Sequence, residues 1–287
     1  MNQTQRQCRH GKMVFSPNDH YIGRALDKYG EYSEGEVRLF ADLIPQLGPH
    51  PIVLDVGANI GALTLPLARI APGGLILAFE PQRVCYYTLC ANMVLNGVFN
   101  VHCFQKAVGE QPGTVTIPDL DYSFHGNYGA MSLLKNETEL LKRYNPTQVE
   151  VMALDQLLLA RCDFAKIDVE GMELAALKGL QGTIASHHPI LYVENDRAEQ
   201  IKPLVVLLEG WGYKLYQHFP QLFNPNNFAK EAENIYGGTA SGNMLCIPHT
   251  REIGVDMTKH GLFEARVDGN KFLMTRGDER MAMNLPV

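Results

Sequence analysis

The chain has 287 residues, 46% apolar and 9% aromatic, enough to bury a sizeable core in one large domain or two. Its 25 Lys and Arg against 31 Asp and Glu give a net charge of −6. The basic residues are scattered, which speaks against a footprint on nucleic acid or on an anionic membrane. The six cysteines (Cys8, Cys85, Cys90, Cys103, Cys162, Cys246) show no metal-ligand spacing, and four sit in apolar runs, as reduced thiols of a cytoplasmic protein would. No leader-like opening and no apolar run of ~18 residues is present, so a soluble protein without a membrane span is expected. The sequons at Asn2 and Asn136 are then chance matches.

Residues 1–20 are polar and predict a loose terminus. From Ile22 to Leu47 the pattern predicts helix, with "SEGE" offering a Ser33 cap and an acid three residues on. An alternation follows. "IVLDV" predicts a buried parallel strand and "NIGALTLPLARIA" a helix kinked at Pro66. "GLILAFE" predicts a strand, and "PQRVCYYTLCANMVLNG" a helix with Pro81 at its first position and Gly97 at its end. "NVHCFQKAVG" predicts a third strand. Residues 111–150 break the rhythm and predict an insertion, with a hairpin around "GTVTI" and a helical piece "ETELLKRY". Then come "MALDQLLLA" (helix), "DFAKIDVEG" (strand), "MELAALKGLQGTI" (helix), "PILYVEN" (strand) and "AEQIKPLVVLLEGWG" (helix). "YKLYQHF" and "NMLCIP" predict a last, antiparallel pair. The expectation is an α/β fold, an open, mostly parallel sheet with helices on both faces. Residues 1–50 are expected to be a helical segment packed on the core, 51–248 the main domain, and 249–287 a C-terminal appendage without clear periodicity.

In open α/β sheets, ligands sit beyond the carboxyl ends of the strands. "LDVGANIG" ends a strand and opens a helix there, but Asn59 stands where a dinucleotide fingerprint wants glycine. The loop suits a ligand without a pyrophosphate. Asp55 can hold an ammonium group directly or through water, Gly57 permits the tight turn, and Gly61 lets the helix pack close. Glu80 ends the next strand, where an acid takes both ribose hydroxyls of a nucleoside. An acid for the amino-acid end and an acid for the ribose describe S-adenosylmethionine.

"LDVGANIGALTLPLA", "GGLILAFEPQ", "NVHCFQKAVGE" and above all "FAKIDVEGMELAALKGL" resemble the FkbM family of S-adenosylmethionine-dependent methyltransferases, over roughly residues 21–248. The resemblance implies the class I methyltransferase Rossmann-like fold, a seven-stranded, mostly parallel sheet with its last strand antiparallel. It implies transfer of methyl to hydroxyl oxygens of sugars, glycans or polyketide-like products. It also implies that Asp55, Gly57, Asn59, Gly61 and Glu80 fall on the cofactor site, and that Lys106 and Ala107 meet the adenine edge.

"KIDVEGME" places Asp168, Glu170 and Glu173 at and just past a strand end. Asp168 and Glu170 share a face, and acids this close need a cation, a proton or a donor partner. "YVEND" brings Glu194 and Asn195 to the same rim. This is similar to the magnesium site of catechol O-methyltransferase-like enzymes, and such oxygen ligands suit magnesium. Acids at this rim also bind substrate hydroxyls, and no metal is expected. Methyl transfer to oxygen needs alignment and removal of the hydroxyl proton, so Asp168, Glu170 and Glu194 are the candidate catalytic residues, with Asp168 also facing the cofactor.

Tyr32 and Glu36 could touch the cofactor, and Asn127 and Gly129 match the family's usual segment. His125 is a weaker candidate base. "FPQLFNPNNF" suits substrate recognition. The expected partner is a small-molecule or glycan acceptor with a free hydroxyl. The alternatives are a methyltransferase of protein or nucleic acid and a non-catalytic cofactor-binding module. "DVEGME" stands where base-modifying enzymes carry an Asp/Asn-Pro-Pro-Tyr/Phe loop, which opposes the nucleic-acid alternative. A dehydrogenase lacks its second glycine.

Overall fold

The computed structural model describes residues 3–120, 125–129 and 145–286. The chain opens with β1 (Thr4–Cys8) and β2 (Gly11–Phe15), then α1 (Ile22–Tyr29) and α2 (Glu34–Leu43). β3 (Ile52–Val56), α3 (Thr64–Ile70), β4 (Leu75–Phe79), α4 (Arg83–Leu95) and β5 (Val101–Phe104) form the first half of the core. β6 (Ala107–Val108), β7 (Gly113–Pro118) and β8 (Pro146–Met152) make a separate three-stranded sheet. β9 (Phe164–Ile167), α5 (Glu173–Lys178), α6 (Gln181–His187), β10 (Ile190–Glu194), α7 (Ala198–Gly210), β11 (Tyr213–His218) and β12 (Asn243–Pro248) complete the core. β13 (Leu262–Asp268), β14 (Lys271–Arg276) and β15 (Glu279–Asn284) follow.

The seven core strands run in the order β11-β12-β10-β9-β3-β4-β5. β12 alone is reversed, pairing antiparallel with β10 and β11, while β10, β9, β3, β4 and β5 pair in parallel. This is the class I methyltransferase arrangement expected from the sequence. The central strands are apolar because helices cover both faces, apart from Asp55 in β3, Lys166 in β9 and Glu194 at the end of β10. Leu54 and Val56 face one core with Leu77 and Phe79, whereas Val53 and Ile76 face the other with Phe40 and Leu67.

Both chain ends differ from expectation. Residues 4–15 form an antiparallel hairpin turning at Arg9–His10. Its second strand is received by two asparagines one turn apart, Asn92 on α4 and Asn96 capping its C-terminus. Asn92 accepts from the Val14 amide (2.7 Å) and donates to the Val14 carbonyl (3.0 Å), and Asn96 does the same for Lys12 (3.0 and 2.7 Å). These side chains supply the ladder that a lone hairpin lacks. The C-terminal segment, in which no periodicity was expected, holds regular strands. β13, β14 and β15 form a meander that continues the sheet from β11, giving ten strands.

Several local expectations also need correction. Ser33 precedes α2 but caps no backbone group; it has φ +46, and its hydroxyl donates to Glu36 Oε1 at 2.5 Å. The helix after β3 begins only at Thr64, so Pro66 lies in its first turn, where a missing N–H breaks no intrahelical bond. α4 starts at Arg83, after Pro81. "NVHCFQKAVG" splits into β5 and β6, which belong to different sheets. "GTVTI" pairs with β8, and "ETELLKRY" lies outside the described residues. "MALDQLLLA" yields one 3-10 turn, Leu154–Leu157, ended by Leu158 at φ +48. "MELAALKGLQGTI" breaks into α5 and α6. All six cysteines are free thiols, four of them buried. No helix among the described residues is long and apolar enough to cross a membrane.

Candidate functional site

Parallel pairing in register aligns the carboxyl ends of β4, β3, β9 and β10 on one edge. A cavity of about 370 Å³ opens there. Asp55, Gly57, Asn59, Glu80, Lys106, Ala107, Asp168, Glu170 and Glu194 all line it. Gly61 does not line it and lies beneath, where an added Cβ would stand 2.8 Å from Leu89 Cδ1. The facing wall comes from Tyr21, Ile22 and Tyr32, from Asn127 and Gly129, and from the loop between β11 and β12 (Leu222, Thr239 to Gly242). That loop is tied to the N-terminal segment through Glu31, whose carboxylate accepts from Arg9 (2.6 Å), the Phe228 amide (2.7 Å) and Asn224 (2.7 Å).

The turn after β3 is built on backbone contacts. The Gly57 and Ala58 amides donate to the Phe79 carbonyl at 3.0 and 2.9 Å. Gly57 has φ +85, and a Cβ there would lie 1.7 Å from the Asp168 carbonyl oxygen. Asn59 has φ +50, a conformation asparagine tolerates better than most residues. This accounts for an asparagine where a dinucleotide loop has glycine. The Asn59 amide donates to Glu80 Oε2 (2.9 Å) and the Gln82 amide to Glu80 Oε1 (2.8 Å). Each Glu80 oxygen is thereby fixed in direction and keeps accepting capacity toward the cavity. Burial pushes the Glu80 carboxyl up to about 7, against the pull of these two bonds.

Asp55 has no exposed surface. Its Oδ2 accepts from the Thr64 hydroxyl at 2.6 Å, and its Oδ1 has no hydrogen-bond partner among the described residues. The nearest cation is Lys166, with Nζ 3.7 Å from Asp55 Oδ1, 3.4 Å from the Gly57 carbonyl and 3.2 Å from Asp168 Oδ2. Sequence reasoning passed over Lys166, although it stands two residues before Asp168 and so shares its face.

The acids of the second constellation do come together. Asp168, Glu170 and Glu194 offer carboxylate oxygens within 4.8 Å of one another. Their cation is internal. Arg197 Nη2 donates to Glu170 (2.6 Å) and Nη1 to Glu194 (2.7 Å). Burial first, then the Asp168 charge, pushes Glu170 up to about 7. Burial and the charges of Asp168 and Glu170 push Glu194 up further. Arg197, also missed, directly follows "END"; the crowding of acids was the signal that a cation must be near.

Other candidates have plainer roles. Glu173 is buried and accepts from the Val169 and Gly171 amides at 3.0 Å each, closing the turn before α5. Asn195 does not line the cavity; it donates to Gln217 at 2.9 Å. Glu36 sits behind the wall, bonded to Ser33, while Tyr32 lines it. His125 is exposed, stacked on His20 at 6.2 Å, and outside the cavity lining.

Residues 55–215 match the model of the methyltransferase FkbM domain. The chain belongs to the FkbM methyltransferase family. Methyltransferase sdnD of Sordaria araneosa is 29% identical to this family member over 204 residues, covering 60% of this chain and 77% of its own. The 31-O-demethyl-FK506 methyltransferase FkbM of Streptomyces tacrolimicus is 28% identical over 204 residues, with 62% and 78% covered. The crystal structure of methyltransferase FkbM from Methylobacillus flagellatus superposes with a TM-score of 0.44 at 18% identity, over 72% of this chain. This FkbM family member spans 47% of that protein's chain.

Proposed function

We propose that the protein is an S-adenosylmethionine-dependent methyltransferase acting on a hydroxyl of a small-molecule or glycan acceptor. The observation that carries this is Glu80. A carboxylate with each oxygen oriented by one loop amide, facing a cavity at the end of β4, is shaped for the two adjacent hydroxyls of a ribose. At the neighbouring strand ends Lys166 and Asp168 put charges of both signs beside the cavity, with Asp55 buried behind them, which fits the charged end of the same ligand. The name of the Streptomyces tacrolimicus relative, which specifies a 31-O position, favours oxygen as the acceptor atom.

When bound, S-adenosylmethionine supplies a methyl group activated by its sulfonium. The rest falls to this chain's residues. Glu80 and the turn at Gly57 fix the donor, and the acid cluster orients the acceptor hydroxyl. An alcohol is too weak an acid to ionise beforehand, so its proton leaves as the methyl arrives. We assign Glu170 as the base, a cavity-lining carboxyl grouped with Asp168 and Glu194 at the strand ends. Arg197 bridges the two glutamates and supplies the positive charge that a divalent ion would otherwise bring.

Turnover is therefore expected to be unchanged by EDTA and by added Mg²⁺. Transfer of isotopically labelled methyl to a hydroxyl acceptor, run with and without chelator, checks both points. Activity lost to EDTA and restored by Mg²⁺ would contradict the role given to Arg197. Label found only on nitrogen or on nucleic acid would contradict the acceptor.

A further inference from the structure

We propose that Lys166 recognises the amino-acid end of the methyl donor by binding its α-carboxylate; this rests on the S-adenosylmethionine reading above. Lys166 lines the cavity and is only 3% exposed, yet its ammonium is loosely held. Its contacts lie at 3.2 Å (Asp168), 3.4 Å (the Gly57 carbonyl) and 3.7 Å (Asp55). An ammonium has three donors, and charge-assisted bonds close to about 2.7–2.9 Å. Lys166 is thus a buried cation with bonding capacity left over.

Its charge is secure. Burial works against it, but the carboxylates of Asp168, Asp55 and Glu36 outweigh burial and hold its pKa above the ordinary range. Asp55 has no exposed surface, so it acts from behind, as the counter-ion of Lys166, and does not meet the ligand itself. The groups left to face a ligand are the Lys166 ammonium, the Gly57 carbonyl and the Asp168 carboxylate, which is 36% exposed. Together they are complementary to an α-amino acid zwitterion. The carboxylate falls to Lys166, and the α-ammonium to the Gly57 carbonyl and Asp168.

The test compares two ligands that differ only in the α-carboxylate: S-adenosylhomocysteine and its decarboxylated form, S-adenosyl-3-thiopropylamine. Isothermal titration of the wild type is expected to show a preference of about tenfold or more for the first, the scale of one charged hydrogen bond. Lys166→Met should bring the two affinities together, and Lys166→Arg should keep most of the preference. Equal binding of both ligands by the wild type overturns the assignment, as does an undiminished preference in Lys166→Met. If Lys166→Met does not fold, a crystal structure of the wild type with S-adenosylhomocysteine decides. A carboxylate oxygen within ~3.2 Å of Nζ is expected, and a carboxylate held elsewhere overturns the inference. Binding of neither ligand to the wild type overturns the donor reading and this inference together.

Discussion

Gly57→Ala is expected to abolish binding of S-adenosylhomocysteine and to lower the melting temperature by roughly 10 °C. Two independent penalties meet at this position. The backbone sits at φ +85, which a side chain resists, and the new Cβ would stand 1.7 Å from the Asp168 carbonyl oxygen. Relief requires the β3 turn and the end of β9 to part, although the Asp168 amide bonds to the Val56 carbonyl at 3.0 Å. Overpacking of this kind costs on the order of 3 kcal/mol. It would also shift Asp168 and Lys166, which flank the same cavity. Gly97→Ala is the control. Gly97 also has positive φ, at +63, but nothing lies within 4 Å of its added Cβ, so only ~1–2 kcal/mol of backbone strain remains. Differential scanning calorimetry and ligand titration on both variants separate the effects. A Gly57→Ala protein that melts and binds like the wild type would show that the two strand ends are not packed as described.

Glu170→Gln is expected to lower kcat by about 10²–10⁴ with little change in cofactor affinity, the range for loss of a positioned general base. The pH dependence gives a second signature. Burial and the Asp168 charge raise Glu170 to about 7, so only above that pH is it mostly ionised and able to accept the hydroxyl proton. The wild-type rate should therefore climb as pH rises through about 7 and level off above it. The variant should lack this limb. Glutamine also gives up the charged partner of Arg197 Nη2, leaving Glu194 as the principal anion on that guanidinium. A full rate in Glu170→Gln, with whichever hydroxyl acceptor the wild type uses, would remove Glu170 from the chemistry.

Three of the core strands were legible because each is a short, buried apolar run with an acid at or beside its end. "IVLDV", "LILAFE" and "ILYVE" carry their own boundaries, and the spacing from Asp55 to Glu80 pointed to two neighbouring strand ends. The hairpin at residues 4–15 was not legible. Its strands are five residues each, and β1 faces solvent at three of them, so little apolar period shows. Its support comes from Asn92 and Asn96, far along the chain. The β13–β15 meander was missed for a related reason. β15 is exposed at all six positions, and such a strand is specified by its neighbour's backbone more than by its own side chains.

At the site, the acids could be found and their cations could not. Asp168, Glu170 and Glu194 stand at strand ends, where position alone marks them. Lys166 lies inside β9 and reads as part of an apolar strand; only the fold shows Asp55 and Gly57 beside it. Arg197 starts the approach to α7 and reads as a solvated helix flank until Glu170 is placed opposite. Asn59 was legible as a departure from the dinucleotide pattern. Its left-handed backbone, which makes that departure tolerable, required the structure.

The central claim is that Glu80 holds the ribose of an S-adenosyl ligand. Isothermal titration of S-adenosylhomocysteine into the wild type and Glu80→Gln tests it most directly. Glutamine matches glutamate in size but must turn its NH₂ toward the Asn59 or the Gln82 amide, opposing donor to donor. The expected result is one-to-one binding by the wild type and an affinity at least ~tenfold weaker in the variant. No binding by the wild type, or equal binding by both proteins, would contradict the claim.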